Sequence, residues 1–412
     1  MRDIDLYQDY GRPQLNEDLT AIWDNTKRFA LKEIAPFINE WDEAEAFPRQ
    51  LHQQAASAGL LGIAYPEALG GSPASYRMRS VMSLALCRYA KSGGLLSSLL
   101  THNIALPPIL HHGSDFLKQT IIPAVLSGEK IAALAITEPN GGSDVANLKT
   151  HAYLDGNDWV ISGEKVFITS GYRADYLTVA VRTGEAPYTK DGRHMTKGAR
   201  GISLIVVPTD LLGIERTLLK KMGWWCSDTA HIRFDQVRVP SQYVVGEVGS
   251  GFKMIMSNFN AERLSMSAAA IGFALACYDE ALAWSSQRQT FGKSLIEHQV
   301  ILHKLMDMQM RIQSSLGMLW RVCDQIDYSQ FTDHQPDPQW VAHVCLLKNH
   351  STQTMQFCAD QALQILGGMG YMRGTRSERI YREVKVMMIG GGSEEIMKDL
   401  AARPAAISPR DV

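Results

Sequence analysis

The sequence predicts an α+β multidomain protein: an N-terminal helical domain over residues 1–130, a middle β domain over 131–246 and a C-terminal helical bundle over 247–412. Two observations predict it. Apolar residues recur with helical spacing as far as about Gly128, fall into strand-like runs from Ile131, and return to helical spacing after Gly251. At 412 residues and 45% hydrophobic content, the chain is also long enough for two or three domains with substantial cores.

In the first domain, Ile22, Phe29, Ile34 and Phe37 form the apolar face of a helical pattern, with Pro and Gly at its breaks. The middle domain carries β-rich runs at 159–169, 176–182, 201–208 and 231–239, and Asp155-Gly156 marks a hairpin. The segment 184–201, rich in Lys, Arg, Gly and Thr, reads as an exposed loop between two strands. Beyond Gly251 the helical runs reach about twenty-five residues or more, as a long-helix bundle requires, with a linker at Gln335 to Pro338. No fixed-period repeat is visible.

A formal net charge of -2 gives no electrostatic footprint for nucleic acid or an anionic membrane. The six cysteines are scattered, with no CxxC pair or metal-ligand spacing, so reduced structural cysteines and no metal are expected. The start, MRDIDLYQDY, has neither a secretory apolar core nor transit-peptide character, and no charge-free stretch reaches membrane-spanning length. The expected location is a bacterial-type cytoplasm.

Residues 135–144, AITEPNGGSD, and residues 165–171, KVFITSG, each join a β-branched run to a turn. Thr137, Ser143 and Thr169 offer hydroxyls, and Phe167 a ring that packs on a flat heterocycle. They read either as a cofactor-binding rim or as two strand–turn segments of an ordinary β domain. On the helix after Gly251, apolar stripes run through Leu264, Ala268, Ile271 and Leu275 and through Met266, Ala269 and Phe273. Glu262 lies one turn ahead of Met266. A carboxylate aimed into an apolar region has a raised pKa that suits a proton-abstracting base; the alternative is a helix-start glutamate balanced by the dipole or by Arg263.

Three further segments stand out. Gly390 to Gly392 before an N-capping Ser393 bring bare backbone N–H groups to a helix start, or form a hinge. RQTFGKSLIEHQ, 288–299, places a guanidinium near an aromatic, a pattern that binds pyrophosphate or decorates a surface. QILGGMG, 364–370, ends an apolar helix with a glycine cap. No strand leads into GxGxxG and no Walker A loop occurs, so a nicotinamide Rossmann site is not expected.

Together these segments resemble the acyl-CoA dehydrogenase family over nearly the whole chain. The resemblance implies a β-barrel-like middle domain, a C-terminal four-helix bundle, and FAD as cofactor. It implies that Ile136, Thr137, Ser143, Phe167 and Thr169 face the flavin. It also implies that Arg288, Thr290, Phe291, His298, Gln299, Gln364, Gly367 and Gly368 reach a neighbouring subunit's FAD, and that Ser393 and Glu395 lie on the flavin side. Ser143, Asn260 and Arg263 would contact the acyl-CoA, and Leu96 and Leu100, with Ser97, Met369 and Tyr371, its tail.

In most of the family the catalytic glutamate sits in a late YEGT loop, where this chain has Gly391. The long-chain and isovaleryl branches instead place it on the buried helix before an arginine, as Glu262-Arg263 stand here. The resemblance therefore implies Glu262 as base, Gly391 as the N–H that binds the thioester oxygen, and a medium-, long- or branched-chain substrate, citronellyl-CoA-type included, converted to trans-2-enoyl-CoA. It implies a homotetramer built as a dimer of dimers, with electrons passed to electron-transferring flavoprotein. Two alternatives remain: a same-fold flavin monooxygenase or nitroalkane oxidase, and a non-catalytic scaffold.

Overall fold

The computed structural model describes residues 16–184, 198–331 and 339–403. The expected linker at Gln335 to Pro338 and most of the expected loop 184–201 lie outside the described residues. The chain forms two compact units: a helical unit made of the segment up to Asn39, Ala74–Gly93 and the chain from Arg263 on, and a sheet unit made of Glu40–Pro73 and Gly94–Glu262.

The sheet unit begins with short helices α2 (Ile38–Glu43, which enters it) and α3 (Gln50–Ser57), followed by α5 (Gly93–Leu99), α6 (His102–Ala105), α7 (Pro107–His112) and α8 (Asp115–Leu126). Its strands are β1 (Ala132–Ala135), β2 (His151–Asp155), β3 (Asp158–Thr169), β4 (Tyr176–Arg182), β5 (Ile202–Pro208), β6 (Ile214–Leu218), β7 (Thr229–Pro240) and β8 (Val244–Val245). They form one eight-stranded sheet in the order β6-β7-β3-β2-β4-β5-β8, with β1 parallel to β4. The four sequence-expected strands are there, and Asp155 pairs with Asp158 across the expected hairpin, where Gly156 has φ +63°. Arg238 on β7 holds both aspartates, at 3.0 Å and 3.2 Å.

β4 is buried along nearly its whole length because the pleat feeds two cores. Leu177, Val179 and Val181 pack with Ile205, Val207 and Trp159 on one face. Ala180 packs with Leu204, Val206 and helix residues Leu106, Ile109 and Ile121 on the other. Covering the second face with helices removes any need for polar alternation, so the strand is mostly apolar, with Thr178 its one interior polar residue.

The helical unit contains α1 (Glu17–Phe29), α4 (Tyr76–Ala90), most of α9 (Gly251–Gln287), α10 (Gln299–Phe331), α11 (Trp340–Leu366), α12 (Arg376–Ile389) and α13 (Glu394–Ala402), with a small hairpin of β9 (Gln289–Thr290) and β10 (Lys293–Ser294). α9 is apolar enough by length and composition to pass for a membrane span, but 67% of that window is buried inside the protein, as expected of a core helix. A π-turn at Ala30–Ile34 shifts the phase of the first apolar stripe, so Ile34 is buried while Phe37 is exposed.

Carboxylates on long helices fix the shorter ones. Asp327 on α10 accepts the Tyr76 and Arg77 N–H groups at the start of α4, at 2.7 Å and 3.0 Å. Glu280 on α9 accepts those of Arg376 and Ser377 at the start of α12. Each anion meets the positive end of a helix and satisfies N–H groups that have no partner within it.

Candidate active site

The two strand–turn blocks of the sheet unit meet. Val166 N–H donates to Thr137 O at 2.9 Å, and the Lys165 ammonium donates to Ile136 O at 2.9 Å and to Glu138 Oε1 at 2.8 Å. Lys165 is fully buried and Glu138 nearly so; Glu138 also accepts the Lys149 and Thr150 N–H groups. Burial pushes Lys165 down to about 8 even with the carboxylate opposing it, while Glu138, which burial alone would raise, is held below its ordinary value by Lys165 and its hydrogen bonds. This pair ties β1 to β3 beneath the rim.

A register shift between Lys165 and Ile168 against β7 makes the rim. Phe167 there has φ +61° and is 68% exposed, while its neighbours Lys165 and Ile168 are buried. An outward ring held at a strained backbone position is a platform for a planar partner. Thr137 and Thr169 flank it half-buried, and Ser143 is exposed. Ile136 differs: its side chain is in the core and its carbonyl belongs to Lys165.

On the same unit, Leu96 is buried and Leu100 half-buried at the end of α5. Glu262 and Asn260 lie half-buried on α9, and Glu262 Oε2 is shielded from solvent. One turn earlier, Asn258 donates to Ile104 O at 2.7 Å and locks this stretch of α9 to α6.

In the helical unit, Gly390–Gly392 form a turn between α12 and α13. Gly391 and Gly392 have φ +66° and +108°, and a Cβ on Gly392 would meet Met397 Cε at 2.4 Å. Arg263, buried, donates through Nε to Gly391 O at 3.0 Å. Lys348 Nζ donates to Met388 O at 3.1 Å and to Gly392 O at 2.8 Å. Ser393 caps α13 by accepting the Ile396 N–H, as the sequence suggested, and Glu395 is exposed. Among the described residues the Gly391 N–H donates to no backbone carbonyl.

The β9–β10 hairpin turns through Phe291 and Gly292, both at positive φ, leaving Phe291 97% exposed. Thr290 and His298 lie within 3.2 Å of each other behind it, with His298 edge-on to Phe291. Arg288, Gln299, Gln364, Gly367 and Gly368 are exposed, and a Cβ on either glycine would meet nothing within 4 Å. Such an open glycine step, with a guanidinium and an exposed aromatic on the same unit, suits a dinucleotide. Met369 and Tyr371 are exposed, Tyr371 at 91%.

Models of the acyl-CoA dehydrogenase N-terminal, middle and C-terminal domains match residues 16–129, 133–237 and 249–406. The chain belongs to the acyl-CoA dehydrogenase family. It is 32% identical over 391 residues to the Bacillus subtilis protein named Probable acyl-CoA dehydrogenase YngJ, covering 95% of this chain and 98% of that one. Among solved structures, it is similar to a probable acyl-CoA dehydrogenase from Mycobacterium abscessus, with 38% identity, TM-score 0.88 and coverage of 95% and 100%. An acyl-CoA dehydrogenase from Geobacillus kaustophilus matches at 31% identity and TM-score 0.86, covering 95% and 99%.

This acyl-CoA dehydrogenase is an oxidoreductase that uses FAD to dehydrogenate an acyl-CoA. The outward Phe167, the rim hydroxyls and the open glycine step fit that cofactor. Sequence reasoning missed Lys348, Lys165 and Glu138. The sequence signals are slight: for Lys348 a charge closing the apolar run VCLL, for Lys165 a charge opening the apolar run VFI, and for Glu138 none.

Proposed function

We propose that this acyl-CoA dehydrogenase oxidises the Cα–Cβ bond of a medium-, long- or branched-chain acyl-CoA to the trans-2-enoyl-CoA, with Glu262 as the base that removes the pro-R α-proton. FAD, when bound, supplies the hydride acceptor. The observation that carries this reading is the Gly390–Gly392 turn. It has no side chain that could act as a base, yet two buried cations hold its carbonyl oxygens and its Gly391 N–H has no backbone acceptor among the described residues. A donor left for a ligand at this point stabilises negative charge on the thioester oxygen as the α-proton leaves. The base must then come from elsewhere. Glu262, with one oxygen shielded from water on a largely apolar helix, is suited to it.

Arg263 holds the turn through its Nε at Gly391 O, and with Ser143 and Asn260 it would contact the acyl-CoA, whose tail would lie against Leu96 and Leu100. Thr137, Ser143, Phe167 and Thr169 would bind the flavin, and Arg288, Thr290, Phe291, His298, Gln299, Gln364, Gly367 and Gly368 a dinucleotide of a neighbouring subunit. The exposed Phe291, Tyr371, Val300 and Met310 support assembly, for which we assign a homotetramer built as a dimer of dimers. Electron-transferring flavoprotein is the assigned electron acceptor and the cytoplasm the assigned location. The Glu262-Arg263 pair with Gly391 supports the long-chain or isovaleryl-type branch.

Anaerobic titration of the FAD-loaded protein with acyl-CoAs of graded length and branching, following loss of flavin absorbance, tests the reading and selects the substrate. Glu262→Gln keeps FAD and lowers the rate of flavin reduction by roughly 10²–10⁴-fold. A variant that bleached at the wild-type rate would remove Glu262 from the mechanism.

A further inference from the structure

Lys348 is fully buried on α11, in a bundle where an aliphatic side chain would pack without desolvating a charge. Its ammonium joins two carbonyls on either side of the glycine run: Met388 O, in the last turn of α12, at 3.1 Å, and Gly392 O at 2.8 Å. The positive charge sits at the negative end of α12, where a cation is stabilised. One nitrogen thus closes the turn from both ends, and Arg263 Nε takes the carbonyl between them, Gly391 O. The next residue on α11, Asn349, donates to Glu394 O at 2.9 Å and holds the start of α13.

Glycines at φ +66° and +108° have wide conformational freedom, and a turn built from them does not hold one orientation by itself. With its carbonyls anchored to buried cations, the turn keeps a single arrangement in which the Gly391 N–H has no backbone acceptor among the described residues. Preorganisation of this kind separates a donor that stabilises developing charge from one that must reorganise at the moment of reaction.

We propose that Lys348 is a positioning residue for the dehydrogenation, holding the Gly390–Gly392 turn so that the Gly391 N–H is presented to the thioester oxygen. This rests on the reading of Gly391 as the donor to that oxygen. The positive charges of Lys348 and Arg263 lie at the carbonyl side of the turn and also favour negative charge at its N–H side.

The test measures polarisation of a bound thioester rather than turnover alone. The FAD-loaded protein, as purified, is titrated with a 3-oxoacyl-CoA across pH, and the near-ultraviolet absorbance of the ligand's enolate gives its apparent pKa on the enzyme. Lys348→Met is expected to raise that pKa by about one unit or more, with kcat down about 10- to 100-fold and KM changed by less than about threefold. Lys348→Gln, which keeps a donor without the charge, is expected to fall between Lys348→Met and wild type, and serves as the measured variant if Lys348→Met loses FAD. A folded, FAD-loaded variant with the wild-type enolate pKa overturns the proposal. Wild-type protein that binds the ligand without lowering its pKa overturns the reading of Gly391 instead, so the two failures are distinct.

Discussion

Replacing Lys165 with Met tests whether the buried pair beneath the rim holds it together. Lys165 is 0% exposed, and its ammonium is the charge that keeps Glu138, 6% exposed, ionised inside the sheet unit. Lys165→Met leaves that carboxylate buried with the Lys149 and Thr150 N–H groups, at 2.6 Å and 2.9 Å, and the more distant charge of Arg182. Removing one partner of a buried pair costs roughly 3–5 kcal/mol. For a domain of this size each kcal/mol lowers Tm by about 2–4 °C, so the fall is roughly 6–20 °C. Ile136 O also loses its donor, next to Thr137, so FAD release is expected to accelerate. The assay is thermal unfolding by circular dichroism beside flavin fluorescence, with Glu138→Gln and the double variant completing a cycle. The double variant should recover part of the loss, because no unpaired charge is left. A loss under about 1 kcal/mol in Lys165→Met, typical of a surface pair, would refute the reasoning.

Two further outcomes follow from the same kind of argument. Burial, aided by Arg173, pushes His52 from 6.5 down to about 4, so the folded protein holds it neutral where the unfolded chain is protonated; stability is complete above about pH 6.5 and falls by about 3 kcal/mol as pH drops towards 4. His52→Gln should flatten that slope in urea melts between pH 7 and 4, and an unchanged slope would place the sensitivity elsewhere. Gly392→Ala, at φ +108° and against Met397 Cε, should cost about 1–3 kcal/mol and reduce flavin bleaching by acyl-CoA; adding Met397→Ala should relieve the contact but not the backbone strain.

Long periodic segments were legible in the sequence, because α9, α10 and α11 repeat their apolar pattern over many turns and β4 and β5 are mostly apolar and β-branched. β6 was not. Its residues Ile214 to Leu218 are half-buried or exposed, and the strand exists because β7 pairs with it. Phe37 joined the expected stripe only because spacing cannot foresee the π-turn that displaces it. At the site, motif residues such as Phe167 and Gly391 were readable because their neighbours form compact local patterns. Lys348 and Lys165 were not, since what each does depends on carbonyls that the fold brings to it, Met388 O and Gly392 O for one and Ile136 O for the other. Arg263 was legible as a partner of Glu262 in sequence, but its engagement with Gly391 O, 128 positions later, is a property of the folded chain alone.

Lys348 and Lys165 are both shut away from solvent, at 0% exposure. Acyl thioesters are electrophiles, and a solvent-facing lysine amine that attacks the carbonyl of one in its unprotonated form becomes a neutral amide and releases the CoA thiol. An enzyme that handles such compounds all its life would slowly blunt any structural amine left within their reach. Placing these two ammonium groups in the dry interior keeps them chemically silent, so the supports of the glycine turn and of the rim are spared damage by the protein's own reactants.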